Sequence, residues 1–174
     1  MILIETFLKE LHDGTVIDNN FKWEFEYSQL PESFLNWFMK HGECFERQTN
    51  EKDYFDRFNV SKTTNSQCFQ NSQLLALENL DVKYYEGLVY GTKFKMTFHH
   101  GFNIVDNKAI DVTDFYNNTI SGDEDSNWSK EEEILYFGVH IPNEFINKYN
   151  ERLVKSSIHN PIILDYYKTL SYET

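Results

Sequence analysis

Only two cysteines stand among the 174 residues, Cys44 and Cys68, too few to build a disulfide framework. Three prolines and seven glycines exclude a collagen-like repeat and a Pro/Gly-rich linker. Basic residues are scarce as well: 16 Lys and Arg face 28 Asp and Glu, for a formal charge of −12. A field of that sign repels phosphate backbones and anionic membranes, so nucleic-acid binding through ordinary phosphate contacts is not expected. No apolar run approaches the ~20 residues of a membrane span. The opening MILIETFLKELHD turns charged at Glu5, before a signal-peptide core can form. These absences predict a cytoplasmic protein with free thiols and no membrane partner.

The sequence is rich in aromatics. Hydrophobic residues make up 40% of the chain and aromatic ones 17%, enough for Phe and Tyr to fill the core of one domain over residues 1–174. No internal repeat or domain boundary is visible. The seven glycines are dispersed, with no phosphate-cradling loop and no G-x-S-x-G elbow. Cys68, His99, His100 and His140 lack the C-x-x-C or H-x-x-x-H spacing of a metal site, so neither metal nor cofactor is expected.

Along the chain, Ile4, Phe7, Leu8 and Leu11 predict a helix over residues 2–12, stopped at Asp13-Gly14. FKWEFEY alternates like a strand. Pro31 and Gly42 bracket a second helix, PESFLNWFMKHG, and residues 44–64 read as connector. Next comes the helix in TTNSQCFQNSQLLALENL, with Ser66 or Asn65 as its cap. Strands follow over 83–91, 94–105 and about 108–113. Residues 114–133 are an acidic surface excursion, and LYFGVHIP is a further strand over 135–142. A helix from Asn143 and a short one in NPIILDYYKTL close the chain. An N-terminal helical region over about 1–60, a central helix and a run of antiparallel strands predict an α+β domain.

Capped at Ser66, the helix places Cys68 in its first turn, where exposed N–H groups and the dipole favour a thiolate. A small buried apolar cysteine fits the same position. In the strand after Phe94, alternation puts Phe98, His100, Phe102 and Ile104 on an inward face and His99 on a polar, exposed one. Asp106-Asn107 is a good two-residue turn, pairing Val105 with Lys108 and setting Asp111 opposite Phe102. Asp111 then shares a face with His100 as its diagonal neighbour, at roughly 7–8 Å between backbones. Such a pair either satisfies itself inside a sheet or orients an imidazole that takes a thiol proton.

The order Cys, inward His, neighbouring Asp resembles the transglutaminase-like branch of the papain-like cysteine enzymes. The pieces that carry the likeness are Gln67-Cys68-Phe69-Gln70-Asn71, His100-Gly101-Phe102-Asn103 and Asp111-Val112-Thr113. Phe102 stands where that superfamily often has Trp, and Val112 where Pro is common. The pattern is also similar to small phage and bacterial proteins reading C-x-x-N, H-A-W, D-P-T and Y-F-G-V, the last element here being Tyr136-Phe137-Gly138-Val139. It covers about residues 65–142.

The resemblance implies a papain-like or transglutaminase-like fold, with the Cys-bearing helix packed on an antiparallel sheet. It implies Cys68 as nucleophile, His100 as general base and acid, and Asp111 as the orienting group. For an oxyanion, the Cys68 N–H is the natural donor, with Gln67 or Asn65 as a second. The superfamily's own glutamine lies farther upstream than Gln67. Asn71 is expected to cap or pack the site. The implied activity is acyl transfer through a thioester on a protein, peptide or other amide, in the manner of a protease, amidase, deamidase or transglutaminase. The other expectation is a catalytically inactive interaction or inhibitor protein, phage-encoded, that uses an acidic surface on the same fold.

Overall fold

Pro31, held extended at φ −61° and ψ 139°, starts the first described helix, α1 (Glu32–His41), and Gly42 ends it by donating its N–H to the Phe38 carbonyl. Phe34 and Phe38, one turn apart, are its buried side chains. The computed structural model describes residues 30–49, 51–58, 67–91, 96–113, 134–153 and 161–171. The helix expected over 2–12, the FKWEFEY alternation, Asn65, Ser66 and the 114–133 excursion lie outside the described residues.

The expected connector over 44–64 is corrected in its first half. It holds a strand, β1 (Glu43–Glu46), and a helix, α2 (Glu51–Arg57). Four residues and two turns are too short for periodicity to register, and in β1 only Phe45 is buried. The remaining elements follow the expected order. They are α3 (Cys68–Glu78), β2 (Lys83–Gly91), β3 (Met96–Val105), β4 (Lys108–Ile110), β5 (Ile134–His140), α4 (Asn143–Leu153) and α5 (Ile163–Ser171). Among the described residues no helix is long and apolar enough to cross a membrane.

The domain is α+β, built on one five-stranded antiparallel sheet in the order β1-β5-β2-β3-β4. Its two edges return toward each other. Arg47, just past β1, bridges Ala109 of β4, and the Gln48 N–H donates to the Ala109 carbonyl at 2.7 Å. The sheet therefore curls like an incomplete barrel. Phe45, Tyr85, Val89, Phe102, Ile104, Ala109, Ile134 and Tyr136 fill its inner face. On the outer face Tyr84, Leu88, Val105, Phe137 and Val139 join Phe34, Phe38, Leu75, Ala76, Ile146, Ile162 and Ile163 from the helices and their flanks.

This curvature overturns one expectation. His99 is not exposed: its side chain is wholly buried on the outer face of β3, beneath α3. Its ring lies 4.9 Å from that of Phe69, and its Nε2 lies 3.2 Å from Oε1 of Glu86. Both faces of β3 are covered, one by the barrel interior and one by a helix, so alternation no longer separates wet from dry.

The hairpin follows turn chemistry. Asp106 and Asn107 both take positive φ, 51° and 62°, and Val105 pairs with Lys108. Asn103 pairs with Ile110, and there the ladder ends, short of the expected Thr113.

Candidate active site

Helix α3 begins at Cys68 itself. The cap residue is Gln67, with φ −117° and ψ 57°, in place of the expected Ser66 or Asn65. Its carbonyl accepts the Asn71 N–H at 2.9 Å, the first bond of the helix. Cys68 is thus the first helical residue, in the turn whose N–H groups have no intrahelical partner.

Gly101 sets how close that turn comes to the sheet. A Cβ there would lie 2.9 Å from the Phe69 Cα, so any larger residue would push the Cys68–Phe69 turn away from β3. Two buried polar contacts fix the approach one turn farther on. The Ser72 hydroxyl donates to the Gly101 carbonyl at 2.8 Å, and the Asn103 side-chain amide donates to the Ser72 carbonyl at 2.8 Å. Cys68, partly buried at the start of this helix, lies near enough to His100 to raise the pKa of its ring.

His100 sits on the opposite parity of β3 from Gly101, across from Gly87 of β2. Its Nε2 is 2.7 Å from Oδ2 of Asp111, and its side chain keeps 17% exposure. Asp111 lies immediately beyond the last residue of β4. Its Oδ1 accepts the Thr113 N–H at 3.1 Å, which fixes the carboxylate's rotation. Asn71, one turn along α3 from Cys68, donates its amide to the Thr113 hydroxyl at 2.9 Å. The segment just past β4 therefore carries the acid and is held by the helix that carries the thiol.

The electrostatics favour a proton on the imidazole. Burial alone would lower the His100 pKa, but the Asp111 carboxylate and then Cys68 outweigh it, leaving the pKa well above its ordinary value. With Nε2 turned to Asp111, Nδ1 is the ring nitrogen left for the thiol.

The structure joins His100 to Asp111, sets Cys68 near enough to raise the His100 pKa, and has Asn71 bond Thr113, two residues past Asp111. Gln67 is exposed and Asn65 lies outside the described residues, so neither has an assigned contact with the site. Sequence reasoning missed two participants. Tyr136 donates its buried hydroxyl to Asp111 Oδ2 at 3.2 Å, and Thr113 links Asp111 to α3. Tyr136 opens the Tyr-Phe-Gly-Val motif, but nothing local marks a hydroxyl that meets its partner 25 positions away. Among the described residues no cluster of His, Cys, Asp or Glu has a metal site's make-up.

Comparison with protein-family models, with curated proteins and with solved structures finds no match for the chain.

Proposed function

We propose that the protein is a cysteine acyl-transfer enzyme of the transglutaminase-like or papain-like kind. The observation that carries this reading is His100, whose Nε2 is 2.7 Å from the buried Asp111 carboxylate and whose pKa is raised by Asp111 and by Cys68 at the start of α3. The Cys68 thiolate attacks an amide carbonyl carbon, forming a C–S bond and a tetrahedral oxyanion. The Cys68 N–H at the helix start is a donor for that oxyanion, with Gln67 as the candidate second. His100 gives its proton to the leaving nitrogen, the C–N bond breaks, and a thioester remains. Water or an amine then attacks the thioester while His100 accepts its proton, and the thiolate departs. Water gives hydrolysis or deamidation, and an amine gives transamidation.

Mass spectrometry of the protein after incubation with a peptide carrying a thiol-reactive amide isostere tests the reading. The expected result is a single adduct on Cys68, formed far more slowly in His100→Ala, with Cys44 unmodified. Equal labelling of Cys44 and Cys68, or labelling unaffected by His100→Ala, overturns it.

The formal charge of −12 favours one other reading, a non-catalytic interaction or inhibitor protein on the same fold that presents an acidic surface. That reading predicts salt-sensitive capture of a basic partner, unaltered by Cys68→Ala.

A further inference from the structure

Tyr136 lies on β5, opposite Val89 of β2 on one side and Phe45 of β1 on the other, and none of it is exposed. Its ring packs 5.0 Å from Phe102 inside the curled sheet, which fixes where the phenol points. A buried hydroxyl must find a partner, because leaving it without one costs about as much as a lost hydrogen bond. The acceptor here is Oδ2 of Asp111, at 3.2 Å, the same oxygen that faces His100 at 2.7 Å. Oδ1 is meanwhile occupied by the Thr113 N–H at 3.1 Å.

We infer that Tyr136 is the positioning residue of the Cys68–His100–Asp111 site, its hydroxyl holding the Asp111 carboxylate so that Oδ2 faces the imidazole. This inference rests on the reading of that triad as a working unit. Asp111 lies just past the last residue of β4, and the Thr113 N–H holds its Oδ1. The Tyr136 hydroxyl holds Oδ2 from β5, while Asn71 of α3 holds Thr113. The Tyr136 hydroxyl bonds Asp111, so its effect on the imidazole passes through that carboxylate.

Tyr136→Phe removes the hydroxyl and keeps the ring that packs on Phe102. Three measurements on the full-length protein test the inference: thermal unfolding, iodoacetamide alkylation of Cys68 at pH 7, and proton NMR of the His100 Nε2–H. In the wild type that proton, shared over 2.7 Å, resonates far downfield and is lost in Asp111→Ala. In Tyr136→Phe the resonance broadens by exchange with water and Cys68 alkylation slows about tenfold, the worth of one hydrogen bond to a charged group. A lowered melting temperature with both signals unchanged overturns the inference and leaves Tyr136 a packing residue. If His100→Ala leaves wild-type alkylation unchanged, the reading of the triad has failed instead. Should Tyr136→Phe fold poorly, 3-fluorotyrosine at position 136 offers a second variant. It keeps the ring and the hydroxyl but makes the phenol a stronger donor to Oδ2, so the His100 resonance is expected to shift, and an unchanged resonance counts against the inference.

Discussion

Asp111 and His100 meet just beyond the end of a strand: β4 stops at Ile110, and the next residue puts Oδ2 2.7 Å from the His100 Nε2. Two-strand register alone would leave the pair as diagonal neighbours with a gap between them. Leaving the ladder lets the Asp111 side chain close that gap, and the Thr113 N–H then fixes its angle. The acid is therefore placed by a strand end and a capping contact together.

Removing the charge while keeping the shape tests what Asp111 supplies. Asp111→Asn retains an oxygen for the Thr113 N–H but takes the counter-ion from His100. The expected outcome is a His100 pKa lowered by roughly 1–3 pH units, read from the ring's NMR titration. Cys68 alkylation at pH 7 slows with it. An unchanged titration curve would mean that the carboxylate does not govern the imidazole.

The same interaction makes stability depend on pH in a stated direction. The folded-state pKa of His100 lies above its unfolded value of about 6.5, through Asp111 and Cys68 acting against burial. The folded protein therefore holds the proton more tightly than the unfolded chain. That stabilisation is fully present below about pH 6.5 and is lost as pH rises through the folded value. Denaturant titrations of wild type and His100→Gln should differ most at the acid side of this window and converge above it. A difference that grows with rising pH is incompatible with this assignment.

Much of this arrangement was legible in the sequence, and the reasons are specific. Asp106-Asn107 announced a turn with two positive φ angles, and turn chemistry fixed the pairing of Val105 with Lys108. That pairing alone puts His100 and Asp111 on one face. Pro31 and Gly42 likewise bounded α1 correctly. His99 was misread because alternation assumes one wet face, and a curled sheet under a helix has none at that position. Tyr136 carried no local signal, since its partner stands 25 residues away, just past β4. Gln67 took the cap from Ser66 or Asn65 without making a side-chain capping bond, a choice that tertiary packing makes and propensity does not.

Gly101 links the fold to the site by the closeness it permits. Gly101→Ala places a methyl 2.9 Å from the Phe69 Cα, a backbone atom that cannot swing aside as a flexible side chain would. Overpacking of this kind costs about 1–3 kcal/mol. The expected result is a destabilised protein in which the first turn of α3 has moved off β3. Cys68 alkylation should then lose its dependence on His100 even where the protein remains folded. If Gly101→Ala keeps both wild-type stability and His100-dependent alkylation, the close approach of α3 is not what joins thiol to imidazole.

Glu86 shows how the C-terminal helix is fastened beneath this site. It is wholly buried on β2, and its Oε2 accepts the Tyr84 hydroxyl at 2.8 Å and the Ile162 N–H at 2.9 Å. Oε1 accepts the Ile163 N–H at 3.2 Å and lies 3.2 Å from His99. Two of these donors are amides at the start of α5, which no intrahelical bond would satisfy. A carboxylate suits that end of a helix because the dipole is positive there. Glu86→Gln turns one acceptor into a donor that faces other donors, and leaves at least one buried N–H unmet at about 1–3 kcal/mol. Native-state hydrogen exchange is the direct measurement. The amides of Ile162, Ile163 and Tyr166 should exchange faster by roughly 10- to 100-fold, as that cost implies, while those of the central strands change less. Uniform acceleration across the domain would show that α5 does not open independently and that Glu86 supports the whole fold.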